Sequence, residues 1–324
     1  MRFLIAGAGA VGAYIGARMA KAGCDVTLFA RGPHLRAMQE RGVHVKSAEG
    51  DFAVRPAVIG SFEQAAPFDV IFLGVKAHAL TQLAPQLKPV IGPETAVVST
   101  QNGVPWWYFQ GFGGEFDGMR LERVDAGGVI SAAIDAKNVI GSIVYFATEI
   151  PEPGVVQHIE GNRITLGEPD GTRSDRCRKI AEALIASGLR APITTRIRHE
   201  IWVKVLGNAS FNPVSALTRA TLAQMARDPG VASVIRSIMQ EVEAVSQKLG
   251  MELPVSIDQR MAGAEKVGEH KTSMLQDLEA GRPMELEALV GAVVEIGERV
   301  GLPMDTTRTV YNCVKLLGTT SRKI

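Results

Sequence analysis

Three polar residues set in an apolar stretch carry the first chemical signal. The segment "WVKVLGNASFNP", residues 202 to 213, puts Lys204, Asn208 and Asn212 at successive steps of four. On a helix, at about 100° per residue, such steps sweep only about 80° of the circumference, so the three side chains form one stripe. Asparagine is a poor helix former, and two of them among Trp202, Val205, Leu206 and Phe211 need a reason. One reason is structural: buried amides that satisfy backbone groups of another domain. The other is chemical: an ammonium donor and two amides facing a polar substrate. Spacing alone leaves both open. Trp202 and Phe211 themselves read as core packing rather than substrate stacking.

A second signal lies at the start of the chain. "GAGAVG", Gly7, Ala8, Gly9, Ala10, Val11 and Gly12, fits GxGxxG and joins an apolar strand-like run to a helix-like one. Gly7 permits the tight turn, Gly9 removes the side chain where a pyrophosphate approaches, and Gly12 lets helix and strand pack closely. Gly-rich turns are common, and it is the strand before and the helix after that favour dinucleotide binding. An NAD-specific site places Asp or Glu at the end of the second strand, about 20 residues on. Arg31 stands there instead, with His34 and Arg36 nearby, while Asp25 is at the strand's far end. A guanidinium suits a 2′-phosphate, so the expectation is NADPH; the competing reading is a solvated arginine at a loop start.

The elements that must position these residues change character along the chain. "RFLIAG", a helix over residues 10–22 closed by Gly23, and "DVTLFA" make a βαβ unit. "FDVIFLGV" and "TAVVST", with a helical piece near 78–88 between them, repeat the alternation and predict a parallel sheet with helices on both faces. "VIGSIVYFATEI", "GVVQHIE" and "RITLGE" are separated by Pro-Gly and Gly-Asn and read as antiparallel strands at one edge. Beyond "RAPITTR" long amphipathic periods take over, as in "VASVIRSIMQEVEAVSQKLG". In "HKTSMLQDLEAGRPMELEALVGAVVEIG" one helix ends at Gly281 and another begins at Pro283, with Glu285 in its first turn. The expected fold is therefore α/β: a dinucleotide-binding domain with a largely parallel sheet over residues 1–195, then an all-helical substrate domain over 196–324.

Composition removes other classes. The 35 Lys and Arg balance 34 Asp and Glu, a net charge of +1 that points to neither nucleic acid nor membrane. The apolar stretch at 3–17 is too short and too rich in glycine to span a bilayer. Three scattered cysteines, Cys24, Cys177 and Cys313, form no CxxC pair and no metal-spaced cluster, so reduced thiols in a cytoplasmic protein, without metal, are expected. The six histidines show no base-and-nucleophile arrangement. A homodimer through the helical half is compatible with the sequence.

Taken in order, the N-terminal GxGxxG, the Arg after the second strand, "VKA", "QNG", "WxKxxxNxxxNP" and "SMxQDxxxGRxxE" resemble ketopantoate reductase, also called 2-dehydropantoate 2-reductase, over nearly the whole chain. The resemblance implies a Rossmann-like domain followed by a helical one. It also implies that a 2-oxo acid, ketopantoate in the first place, is reduced by NADPH in the interdomain cleft on the way to pantothenate. By that pattern Lys204 is the proton donor and Asn208, Asn212 and Ser273 bind substrate, Ser273 at the carboxylate. Glu285 falls beside cofactor and substrate hydroxyl, Asn102 touches the nicotinamide end and the substrate, and Lys76 lies near the cofactor. A lysine ammonium can stabilise the charge that hydride transfer leaves on the ketone oxygen and then protonate it. Glu285 near Lys204 favours the charged lysine and burial the neutral one.

Three departures bear on the substrate. "SALTRATLAQMA" lacks an asparagine found after the "NP" helix in the family, "ELEALVG" puts Glu287 and Val290 where aspartate and asparagine are usual, and "QNG" is followed by Pro105, Trp106, Trp107 and Tyr108. Bulky aromatics there are expected to reshape an acyl pocket or form a subunit contact. They keep open a related 2-hydroxy-acid dehydrogenase with a larger or more apolar substrate. An NADPH-binding redox sensor without turnover is the alternative of another class. Asp277 and Arg282 read as a brace at the helix junction, and Glu287, Glu295 and Glu298 as solvated helix surface.

Overall fold

Apolar residues fill β1 (Arg2–Ala6), which is buried from Phe3 onward and starts the sheet of the first of two compact units. The computed structural model describes residues 1–63 and 65–321, so the last three positions of the expected helical domain lie outside the described residues. The first unit comprises Met1–Gln101, Trp107–Met119 and Gly128–Ile197; the second comprises Asn102–Trp106, Arg120–Gly127 and the chain from Arg198 onward.

In the first unit β1 leads into α1 (Ala10–Lys21), β2 (Asp25–Phe29), α2 (Gly32–Arg41), β3 (Val43–Lys46), β4 (Phe52–Val54) and β5 (Ala57–Ile59). After these come β6 (Phe68–Leu73), α3 (Ala77–Leu83), β7 (Ile91–Ser99), β8 (Val139–Glu152), β9 (Val155–Gly167) and α4 (Asp175–Ala186). The strands form one sheet in the order β4-β3-β9-β8-β7-β6-β1-β2-β5. From β5 to β8 every neighbouring pair is parallel. Numbered along the chain, those six strands lie in the spatial order 3-2-1-4-5-6, the doubly wound arrangement whose crevice opens where the order reverses, beside β1. Ala13, Ile15 and Ala17 of α1 and Ile180 and Leu184 of α4 are buried in one core with Ile5, Val26 and Val98 of the strands.

The edge differs from expectation. "GVVQHIE" and "RITLGE" are parts of a single strand, β9, because Gly161 (φ +74°) makes a bulge rather than a turn: its built Cβ would lie 2.3 Å from the Tyr145 carbonyl, and the register against β8 shifts there. β9 runs antiparallel to β8 but parallel to β3.

The second unit holds α5 (Ile197–Thr218, whose first residue groups with the first unit), α6 (Leu222–Arg227), α7 (Pro229–Lys248), α8 (Ile257–Val267), α9 (Ser273–Glu279), α10 (Ala292–Arg299) and α11 (Asp305–Thr320). The new helix expected at Pro283 starts later, at Leu286, with a π turn over Glu287–Gly291 leading into α10. Glu285 thus precedes the helix instead of lying in its first turn. Arg282 explains the delay: its backbone amide and its guanidinium both bind Asp277, at 2.8 Å and 3.1 Å, which holds the chain off a helical course and makes the pair the brace expected of it.

Two surface expectations are corrected. Trp106, Trp107, Tyr108 and Phe109 are all buried, Trp107 donating to Ser99 Oγ at 2.8 Å with its ring against Gly141, so these four side chains are core rather than surface. Glu287 and Glu295 are not simply solvated. The Glu287 carboxylate accepts from Tyr311, and Glu295 accepts the backbone amides of Glu122 and Arg123 at 2.9 Å each. Val290 is fully buried in the α9–α11 core. Of the three glutamates, Glu298 alone is exposed, and it pairs with Arg308. Among the described residues no helix is long and apolar enough to cross a membrane, and no group of three His, Cys, Asp or Glu is disposed to hold a metal ion.

Candidate active site

The glycine loop is built by interlocking backbone. Gly7 has φ +110°, and a Cβ there would lie 2.3 Å from Val75 Cγ1. A Cβ on Gly12 would come within 2.2 Å of the Gly7 carbonyl oxygen, and one on Gly74 within 2.3 Å of the same atom. The turn after β1 and the end of β6 therefore touch with no room for a methyl, and Gly74 is a third wall that the fingerprint alone does not reveal. Gly9 differs: its backbone is extended (φ −70°, ψ −170°) and a Cβ would meet only the Gly74 carbonyl, at 3.4 Å. Gly9 is the N-cap of α1, brings no capping side chain, and is followed by half-buried Ala10 and Val11 with no acidic residue in the first turn. The helix thus presents its amides and positive dipole end to an anion.

A cavity of about 500 Å³ opens beside this loop, lined on one side by Gly7, Ala8 and Gly9 and on the other by Arg31 and His34. Arg31 is exposed at the N-cap of α2, after the end of β2. His34 Nδ1 accepts the Gly154 amide at 2.9 Å, tying α2 to the turn between β8 and β9. Burial pushes the His34 pKa down, against the Ala8 backbone, which raises it. Lys76 is the half-buried N-cap of α3. Its turn is clamped by Gln101, whose Nε2 donates to the carbonyls of Leu73 and Val75 at 2.7 and 2.9 Å, and by Thr100, which donates to Leu73 at 2.6 Å. Glycine clearance and an uncapped helix end fit the pyrophosphate of a nicotinamide dinucleotide.

The second cluster lies wholly in the helical unit. α5 runs unbroken through Pro213, so Lys204, Asn208 and Asn212 do line one stripe; the first two are half-buried and Asn212 is buried. Burial lowers the Lys204 pKa to about 8; Glu285 opposes that shift and Arg260 adds to it. Asn102 Nδ2 donates to Glu285 Oε2 at 3.4 Å. Asn102 is held in this unit by its neighbours: the Val104 amide bonds the Ala288 carbonyl at 3.0 Å, and Gly103 (φ +89°) passes so close that a Cβ would lie 2.2 Å from that oxygen. The fold therefore joins Lys204, Glu285 and Asn102, which are far apart in sequence. Ser273 stands on a different helix, exposed as the first residue of α9 after the capping Thr272. Arg260 is absent from the expected site. It lies outside every motif quoted, and only the bare Gly207 beside Lys204 hinted that something packs there.

An ammonium whose pKa burial brings down to about 8, with a carboxylate opposing that shift, can give up a proton and stabilise a developing oxyanion. Comparisons with known proteins bear on which reaction this is. Residues 3–109 match the family model described as "Ketopantoate reductase PanE/ApbA", and residues 196–318 match "Ketopantoate reductase PanE/ApbA C terminal". A 2-dehydropantoate 2-reductase of Mesorhizobium japonicum is 47% identical over 98% of both chains. One from Archaeoglobus fulgidus is 31% identical over 97% of both. Among solved structures, a chain from Ralstonia solanacearum MolK2 provisionally called a ketopantoate reductase superposes with a TM-score of 0.95 at 38% identity, covering 100% of this chain and 99% of that one.

Proposed function

The chain belongs to the ketopantoate reductase family of nicotinamide-dependent oxidoreductases, and on that premise we propose that it reduces ketopantoate to pantoate with NADPH. The observation that carries the reading is the Lys204, Glu285 and Asn102 cluster in a chain of this family. The cofactor supplies the hydride. Asn208 and Asn212 orient the substrate carbonyl without adding charge, Ser273 binds the carboxylate, and Lys204 stabilises the oxyanion and protonates it. Glu285 keeps enough of Lys204 charged at neutral pH for that task, and Asn102 steadies Glu285. Gly7 to Gly12 receive the pyrophosphate, with Lys76 beside the cofactor.

A steady-state panel of ketopantoate, 2-oxoisovalerate, 2-oxobutyrate, oxaloacetate and phenylglyoxylate tests the substrate. Ketopantoate is expected among the best by kcat/KM. A clear preference for phenylglyoxylate makes the chain a dehydrogenase of bulkier acids, and cofactor binding without any turnover makes it a sensor.

NADPH preference is assigned to Arg31, through a charge-assisted contact with the 2′-phosphate. Arg31→Ala should weaken NADPH binding about 10- to 100-fold and leave NADH nearly unchanged, read by titrating both cofactors. Equal losses would mean that Arg31 supports the adenine or the fold instead.

Glu285→Gln removes the group that raises the Lys204 pKa. The alkaline limb of kcat/KM should then move to lower pH. A limb that stays in place disconnects the two residues. The cytosol and a homodimer complete the reading; sedimentation of the purified protein tests the dimer.

A further inference from the structure

We propose that Arg260, reaching from α8 across the bare Gly207 of α5, anchors the carboxylate of the substrate. The proposal rests on the reading of the chain as a 2-oxo acid reductase and adds a charged residue to it.

The geometry begins with the missing side chain. A Cβ built on Gly207 would lie 2.1 Å from Arg260 Nη2, 2.4 Å from Nε and 2.6 Å from Cζ. Three atoms of the guanidinium thus lie against the helix backbone, in the space a side chain would fill. Gly207 follows Lys204 by three residues and precedes Asn208. It lies about 60° from Lys204 around the helix, on the side away from Asn208, at the spacing of about 5–6 Å that separates neighbours on a helix face. The stripe of α5 therefore continues past Lys204 with a cation contributed by another helix.

Arg260 is well fixed for such a task. α8 opens on a capping box between Ser256 and Gln259, and the Arg260 amide bonds the Ser256 carbonyl at 2.9 Å. The residue is half-buried, as are Lys204 and Asn208.

Electrostatics gives the arrangement a direction. Arg260 disfavours the charged form of Lys204, the form that proton donation needs. A second cation at that spot is unhelpful to the lysine alone and useful if an anion binds. In a 2-oxo acid the carboxylate and the ketone are on adjacent carbons, so whatever holds one must stand within a helical turn of whatever acts on the other. Arg260 offers a planar fork that matches a carboxylate through two parallel hydrogen bonds, which a serine hydroxyl cannot do.

The test compares wild type, Arg260→Gln and Gly207→Ala on the best 2-oxo acid and on its methyl ester. Calorimetry of the corresponding 2-hydroxy acid on the enzyme–NADP⁺ complex runs in parallel. In both variants KM for the acid should rise about 10- to 100-fold while KM for the ester stays within about threefold. NADPH affinity should not change, and the alkaline limb of Arg260→Gln should move to higher pH. Gly207→Ala matters because its methyl displaces the guanidinium while leaving the arginine in the chain. An equal loss for acid and ester, or an unchanged KM for the acid, overturns the proposal and makes Arg260 a packing residue. Should wild type oxidise no NADPH with any 2-oxo acid yet bind the hydroxy acid through Arg260, the reductase reading falls and the carboxylate site stands. Neither turnover nor binding overturns both.

Discussion

Lys204→Ala should lower kcat by about 10² to 10⁴ fold, the combined scale of general acid catalysis and oxyanion stabilisation, with NADPH affinity near that of wild type. The asymmetry follows from timing, because the negative charge on which the lysine acts exists only as hydride arrives. The Lys204 pKa of about 8 adds a signature. The productive form is protonated, so wild-type kcat/KM should fall as pH rises through about 8. The residual rate of the variant should lack that limb. Circular dichroism must first show a folded variant, since Lys204 sits in a helix bearing the buried Trp202 and Phe211. Near-normal kcat with the same alkaline decline would place the proton donor elsewhere and make the stripe structural.

Gly12→Ala and Gly9→Ala should separate folding from cofactor binding. The new methyl at position 12 meets backbone, the Gly7 carbonyl at 2.2 Å and the Gly74 Cα at 3.2 Å, with Ile5 Cγ2 at 2.9 Å, and nothing there is a flexible side-chain end. Overpacking of this kind costs about 1–3 kcal/mol. If that strain stays in the native state, Tm falls by about 2–4 °C per kcal/mol. If it relaxes by moving the loop, NADPH binding weakens about 5- to 150-fold instead. Gly9→Ala meets only an ordinary contact on an extended backbone, so Tm should hold. The methyl then stands where the pyrophosphate approaches, and NADPH affinity should fall alone. Scanning calorimetry with cofactor titration reads both variants. A Gly9→Ala protein that binds NADPH normally would remove the phosphate from this loop.

What could be read from the sequence was what one element carries within itself. The α5 stripe is visible because a helix converts spacing into direction, and the glycine loop because strand, glycines and helix are contiguous. The sequence reads β9 as two strands because Gly-Asn signals a turn as readily as a bulge, and the partner strand decides between them. The short strands β3, β4 and β5 have too few residues for a periodic signal. Trp106 and Trp107 followed a suspected site motif, which suggested a pocket, whereas their bulk closes a core. Gly74, Gln101 and Arg260 owe their roles to tertiary approach: a backbone contact across two turns, a clamp on a neighbouring strand end, and a guanidinium laid over another helix. Each contact lies outside the residue's own segment, so sequence shows the residue without its role.

Hydride transfer from NADPH to the ketone carbon of a 2-oxo acid can be followed by isotope. Purified protein is incubated with ketopantoate and NADPH deuterated at the transferable position of the nicotinamide, and the product is read by mass spectrometry. Pantoate should carry deuterium on C2, the former ketone carbon next to the carboxylate, in step with the NADPH consumed. Oxidation of NADPH without deuterated pantoate, or no product from ketopantoate, would contradict it.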